Sequence, residues 1–358
     1  MRANRISARG FRNLAPLDLA LPAAGAAILG SNGHGKTSLI ELLAYPVVWR
    51  SVRGAPDPDL VQFGEAAFHL RVEFEGRSVE AGFLRAGRKK RIAVDGLEQL
   101  RLGGAIGHWA AVTFLPTDLG LIQGAAAERR RYLDQMLSLA DPGYLGHLSR
   151  FRAALAHRNA ALRQGRPELA EPFGPALARH GAPLIAARLA WVAETADQFA
   201  AECAGLGEPA AVGLAYRGRA ELADPEAWPA ALRDTASRDQ VLRATGIGPH
   251  RDDLTVTIGG HPARSFGSTG QQRGAAIALR LAEMVTLAAT RGSEPVLLLD
   301  DVFAELDDGR QRRLAARLNQ GGERQVFVTA PRRDELPASL ELEVLMVEAG
   351  AVRYGGER

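Results

Sequence analysis

Gly30-Ser-Asn-Gly-His-Gly-Lys36-Thr37 fits the pattern G-x-x-x-x-G-K-[ST], and its flanks decide the fold. Before it, Ala26–Leu29 is a short apolar strand. After it, Ser38-Leu-Ile-Glu-Leu-Leu-Ala-Tyr45 is a helix-forming run, expected to stop before Pro46. Glycines at this spacing let successive backbone N–H groups curl around a phosphate chain, and the new helix aims its positive end at the same place. On this reading Gly30, Ser31, Asn32, Gly33, His34 and Gly35 line the phosphates, with His34 as a filler. Lys36 reaches the β- and γ-phosphates from a solvent-facing loop, and the Thr37 hydroxyl ligates Mg²⁺. ATP and Mg²⁺ are therefore the expected cofactors.

A second segment completes such a site. Val296-Leu-Leu-Leu-Asp300-Asp301 reads as a buried parallel strand with its acids at the C-terminal edge, where open α/β sheets place ligands. Asp300 is expected to hold the metal through water and Asp301 to orient an attacking water. A helix N-cap is the alternative reading of the acid pair, and the preceding glycine loop weighs against it.

Lys36 and Asp300 stand 264 residues apart, far more than a minimal phosphate-loop domain needs, so something is inserted. Residues 124–244 turn to Ala, Leu, Arg and Glu at helical spacing, broken by Gly165, Pro167, Pro172, Pro175, Gly181 and Pro183. That predicts a compact helical subdomain, because a long coiled coil needs unbroken heptads. Residues 1–123 and 245–358 form the α/β head, with an antiparallel β lobe at about 50–115, where FHLRVEFEG and SVEAGFLRAG alternate in polarity across Gly76. A long helix is expected from Gly270 to about Arg291.

The chain has 358 residues, 44 basic and 41 acidic, for a formal charge of +3; 46% is hydrophobic and 24% charged, which excludes a disordered or fibrous protein. One cysteine, Cys203, forbids an internal disulfide and suits a reducing compartment and the core. The first residues carry no leader-like apolar run, and Leu17–Leu29 is too short and too interrupted to span a bilayer, so the expected location is the cytoplasm with no membrane partner. Lys36, Lys89 and Lys90 are the only lysines of the chain; every other basic residue is arginine. The remaining histidines show no metal-ligand spacing.

Ser265-Phe-Gly-Ser268-Thr-Gly270-Gln271-Gln-Arg273 opens the long helix just before the Asp300 strand, and Ala304-Glu-Leu-Asp307 follows it. Ser268–Gln271 read alone is a helix N-cap, Ser with Gln three later. In this order the segments resemble the signature motif and D-loop of ABC-type ATPases. With Gly10-Phe-Arg-Asn13, Pro116-Thr-Asp-Leu119, Arg129-Arg-Arg-Tyr-Leu-Asp134 and Gly248-Pro-His-Arg-Asp-Asp253, the chain resembles the RecF family, SMC-like members of that class, over nearly its whole length. The resemblance implies an ABC-type head with an antiparallel β lobe and an inserted helical subdomain. It also implies catalytic roles for Lys36, Asp301, Ser268 and Gln271, and adds Arg12 to the cofactor-binding residues. In such a family ATP is sandwiched between the phosphate loop of one subunit and Ser268 of another, closing a homodimer on duplex or gapped DNA. The closed form recruits a RecR-type mediator protein and helps load recombinase, with hydrolysis releasing the clamp.

Two departures from ABC transporters stand out: VTFLPTDL lacks their glutamine, with Gln123 too late to replace it, and Val326-Phe-Val-Thr329-Ala has threonine where they carry a switch histidine. Slow hydrolysis, as in a weak DNA-stimulated ATPase, is the expectation. A transporter nucleotide-binding subunit is the rival reading, and a nucleotide-gated dimer without DNA a third. For DNA contact the candidates are Arg88, Lys89, Lys90 and Arg91, four adjacent cations in a turn, then Arg129–Arg131 and the helical arginines Arg150, Arg152, Arg158 and Arg163. A solvated charged turn, or pairing of Arg129–Arg131 with Glu128 and Asp134, is the competing account.

Overall fold

A computed structural model describes residues 1–320 and 324–355. The strands in chain order are β1 (Ala3–Arg9), β2 (Leu17–Ala20), β3 (Gly25–Leu29), β4 (Ala67–Phe74), β5 (Arg77–Leu84), β6 (Lys89–Val94), β7 (Leu97–Glu98), β8 (Ala111–Phe114), β9 (Val212–Arg217), β10 (Asp253–Ile258), β11 (His261–Pro262), β12 (Val296–Leu299), β13 (Val326–Ala330), β14 (Glu343–Glu348) and β15 (Ala351–Tyr354). The longer helices are α1 (Lys36–Val48), α2 (Ala126–Ala140), α3 (Pro142–Arg163), α4 (Gly174–Gly205), α5 (Thr269–Arg291) and α6 (Asp308–Asn319). They divide into two compact units: Met1–Leu119 with Ala204–Glu208 and Ala276–Arg358, and Gly120–Cys203 with Pro209–Ala275.

The first unit holds two sheets. One runs β15-β14-β3-β13-β12-β8 and is parallel except for the β15 edge. Its central strands are apolar runs buried along their whole length, as a sheet covered on both faces requires. The other runs β2-β1-β4-β5-β6-β7 and is antiparallel. Its β4–β5 hairpin closes through Glu75–Gly76, both at positive φ, the geometry of a two-residue primed turn. The expected β lobe of about 50–115 is thus redrawn: β1 and β2 join it, whereas β8, a wholly buried AVTF, pairs in parallel with β12.

Helix α1 runs on past Pro46 to Val48, beyond its expected stop. Proline removes one helix hydrogen bond, but the last turn buries Val47, Val48 and Trp49, and that apolar burial outweighs the loss.

The second unit is not purely helical. β9, inside the stretch read as helices, pairs antiparallel with β10, and β11 completes a three-stranded sheet. The alternation in VGLAYR was obscured by the Ala-rich surroundings. Helix α4 passes straight through Gly181 and Pro183, which the sequence suggested as breaks. A Cβ on Gly181 would lie 2.5 Å from the Trp228 ring, so this glycine marks close packing rather than a chain break. Pro142 follows the α3 N-cap Asp141, whose carboxylate accepts from the N–H groups of Gly143 and Tyr144. At the centre, Arg188 is 1% exposed and donates to Asp134 Oδ1 (2.6 Å), the Tyr144 hydroxyl (3.0 Å) and the Pro249 carbonyl (2.7 Å). Arg129 forks onto Asp253 at 2.7 and 2.9 Å. Its partner is this acid of the GPHRDD segment, not Glu128 or Asp134. Two segments that carry the family resemblance are therefore one buried polar hub. Cys203 is buried, as expected.

Candidate functional site

The phosphate loop joins β3 to α1 in the first unit. Gly30 has φ +155°, and a Cβ there would sit 2.2 Å from the Val347 carbonyl oxygen, so glycine is required where the loop leaves the sheet. At the other end, Gly35 caps α1 with no side chain among the described residues hydrogen-bonded to the helix N–H groups, and the first turn has no acid. Uncapped donors at the positive end of a helix form an anion site. Ser31, Asn32 and Gly33 are exposed, and His34 is half-buried with its carbonyl accepting from Gly350 N–H at 2.9 Å. Lys36 departs from expectation: it is 4% exposed, and its ammonium donates to the Gly30 carbonyl at 2.7 Å, with longer contacts to the Ser31 carbonyl and Asn32 Oδ1. The lysine lies along the loop it serves rather than reaching into solvent.

Thr37, the first hydroxyl of α1, donates to Asp300 Oδ1 at 3.0 Å, so the two expected metal-site residues are in contact although 263 residues separate them. Their fit to Mg²⁺ rests on this convergence of a hydroxyl and a carboxylate beside an anion site. Burial pushes the Asp300 carboxyl above its ordinary value; hydrogen bonds from Thr329 and Thr37 work against it, and the neighbouring Asp301 charge adds to it. Asp301 sits at φ +49°, a left-handed backbone that costs a non-glycine residue about 1 kcal/mol or more.

Thr329 supports both acids. It is 1% exposed at the end of β13; its hydroxyl lies 2.9 Å from Asp300 Oδ1 and 3.3 Å from Asp301 Oδ1, and it accepts from the Asp301 N–H at 2.9 Å. Thr329 thus fixes the acid pair. Asn13, at the end of the Gly10–Asn13 motif, donates to the Gly33 carbonyl (2.9 Å) and accepts from the Ser38 hydroxyl (2.7 Å), joining the loop to α1. Its neighbour Arg12 forks onto buried Glu41 at 2.8 and 3.1 Å, and Ser51 donates to the same carboxylate. The LPTDL segment, without glutamine, puts Asp118 against Arg280 at 2.6 and 3.1 Å.

The signature segment lies in the second unit. Ser268 N–H donates to Gln271 Oε1 at 2.9 Å and Gln271 N–H to the Ser268 hydroxyl at 3.3 Å, a reciprocal capping box opening α5. Ser268 is exposed, and Phe266 beside it is 71% exposed. Gln123 donates to Gln272 Oε1 at 2.5 Å, so it braces this helix. Asp307 caps α6 by accepting from Arg310 N–H.

The four-cation turn is not one charged face. Lys90 turns inward: its ammonium donates to the Trp49 carbonyl, pairs with Asp57 at 3.1 Å and lies 4.9 Å over the Tyr45 ring, and burial lowers its pKa. Arg91 pairs with Glu98 at 2.7 Å, leaving Arg88 and Lys89 exposed and without an ion pair among the described residues. Strand alternation, invisible in a charge count, splits the run. Among the helical arginines, Arg158 is buried against Asp239 and Arg152 pairs with Asp134, while Arg150 and Arg163 are exposed.

A parallel sheet carrying a phosphate loop, a Thr37–Asp300 contact, a signature-type capped helix and an antiparallel lobe define an ABC-type, SMC-like ATPase head. No family model matches the chain. It is 37% identical over 353 residues to the DNA replication and repair protein RecF of Anaeromyxobacter dehalogenans (strain 2CP-C), covering 95% of each chain. To that of Geobacter sulfurreducens it is 36% identical over 342 residues, covering 92% of each. The chain belongs to the RecF family of DNA replication and repair proteins. A structure of the recombination mediator protein RecF-ATP in the RecFOR pathway superposes with TM-score 0.89 at 28% identity, over 99% of this chain and 98% of that one. The Smc head domain of Pyrococcus furiosus shares the fold, with TM-score 0.58 at 14% identity over 98% and 95% of the two chains. The transporter reading is not favoured.

Proposed function

We propose that the chain is an ATP-gated DNA-binding protein of recombinational repair that closes as a homodimer on DNA and hydrolyses ATP slowly. The observation that carries the reading is the division of the machinery: the phosphate loop with Thr37 and Asp300 belongs to one compact unit, and the exposed Ser268 to the other. Loop amides and Lys36 bind the phosphates, with Lys36 exchanging loop carbonyls for phosphate oxygens. Thr37 and Asp300 would hold Mg²⁺, which neutralises phosphate charge when bound. Ser268 of a second copy would donate to the γ-phosphate, so ATP supplies the differential affinity that favours the dimer. Asp301 orients the attacking water, and Thr329 holds Asp301 in place. Threonine cannot take a proton as histidine can, which suits a timed clamp. Arg88 and Lys89 are candidate DNA contacts. A RecR-type mediator protein is the expected partner of the closed form, and the cytoplasm its location. Among the described residues no helix is long and apolar enough to cross a membrane.

The test is ATP turnover with and without duplex DNA. DNA-stimulated turnover supports the reading; equal rates favour a nucleotide-gated dimer with no DNA role.

A further inference from the structure

Helices α3 and α4 of the second unit bring His147, Arg150, Arg179 and His180 together. The Nδ1 atoms of His147 and His180 are 3.2 Å apart, with ring centroids at 5.3 Å. Arg150 and Arg179 are exposed, and neither is held in an ion pair among the described residues. Burial, followed by the His147, Arg150 and Arg179 charges, lowers the His180 pKa, and among the described residues no carboxylate acts on it in the opposite sense.

Two imidazole nitrogens 3.2 Å apart suit either a shared proton or a pair of ligands on one metal ion. The surroundings decide between them. Two guanidiniums repel a divalent cation, and no group of three or more metal-ligating side chains occurs among the described residues. An oxyanion is the ligand such a cluster attracts. With the Nδ1 atoms sharing one proton, the ring that accepts it carries its own proton on Nε2 and donates outward. The two arginines add planar forks that match phosphate geometry. All four residues lie inside helices whose backbone N–H groups are already used, so no amide cradle encloses a small free anion. An open patch of side chains on rigid helices fits one phosphate of a polyanion held at other points too.

We propose that His147, Arg150, Arg179 and His180 form a phosphate-contact site for the backbone of duplex DNA, a site that rests on the DNA-binding reading above. It differs from the Arg88–Lys89 turn in lying on the helical unit and in using histidine.

The experiment measures duplex DNA affinity against salt, with ATP present, for the wild type and for the variants Arg150→Ala/Arg179→Ala and His147→Ala/His180→Ala. Each lost phosphate contact lowers the log–log salt slope by roughly 0.9, so the arginine pair should flatten it by roughly two units. The histidine pair should weaken binding severalfold at fixed salt. ATP-driven dimerisation, followed by sedimentation, should match the wild type in both and so certify folding. A wild type that binds DNA together with variants of unchanged slope and affinity overturns this site alone. A wild type that binds no DNA overturns the site and the functional reading together. Added inorganic phosphate should compete no better than chloride at equal ionic strength; competition that is stronger and abolished in the variants would make this a small-anion site instead. Stoichiometric Zn²⁺ binding lost in His147→Ala/His180→Ala would replace the oxyanion with a metal.

Discussion

Thr329→Val is nearly isosteric and removes only a hydroxyl, so it isolates what that group does. Two hydrogen bonds of 2.9 Å disappear, one to Asp300 Oδ1 and one from the Asp301 N–H. An amide left without its acceptor costs about 1–3 kcal/mol, and a bond to a charged carboxylate contributes about 1.5–3 kcal/mol. The two share an atom and do not simply add, so the expected loss of stability is about 2–4 kcal/mol. Asp301, no longer tied down at φ +49°, should relax toward an ordinary backbone. A 1.4 kcal/mol loss of positioning corresponds to about tenfold in rate, so turnover at saturating ATP should fall at least that far while ATP affinity changes less. The sign of the pH effect also follows. Burial already raises the Asp300 pKa and Thr329 opposes it, so the valine variant raises it further. Because Mg²⁺ binding needs the carboxylate form, the acid limb of turnover at limiting Mg²⁺ should move to higher pH. Steady-state kinetics against pH, with Thr329→Ser as the restoring control, is the assay. A valine variant with wild-type turnover and an unmoved acid limb would refute the positioning argument.

Lys36→Met should abolish ATP binding in a fluorescent-nucleotide titration; because Lys36 is 4% exposed and bonded to loop carbonyls, a loss of stability of about 1 kcal/mol should accompany it. Ser268→Arg should bind ATP with wild-type affinity yet remain monomeric in sedimentation, and a normal dimer would remove Ser268 from the composite site. Arg88→Ala/Lys89→Ala should lower the DNA salt slope by no more than about two units, because Lys90 and Arg91 are already engaged by Asp57 and Glu98.

The phosphate loop, the Asp300 strand and the signature helix were legible because each couples a local signal to a flank that agrees with it: strand, turn and helix for the first, a wholly apolar run ending in acid for the second. The Thr37–Asp300 contact follows from parallel sheet topology, which places strand C-termini on one edge. Other features were not legible because they depend on what packs against a residue. Gly181 and Pro183 read as breakers, yet α4 runs through both, and Gly181 is set where a Cβ would meet the Trp228 ring. β9 pairs with a strand about forty residues away, and its own short alternation is masked by the Ala-rich sequence around it. Lys90 looked like one of four surface charges until strand alternation and Tyr45 turned it inward. The role of Thr329 was hidden because a missing histidine signals a loss, while the gain is made through bonds to two other residues.

In the proposed mechanism ATP closes a dimer, and this dimer holds DNA. Sedimentation of the wild-type protein, alone, with ATP, and with ATP plus duplex DNA, measures it directly. The expected result is a mostly monomeric species alone, a dimer with ATP, and a dimer co-sedimenting with DNA only when ATP is present. A mass unchanged by ATP, or DNA bound equally well without it, would rule out an ATP-gated DNA clamp.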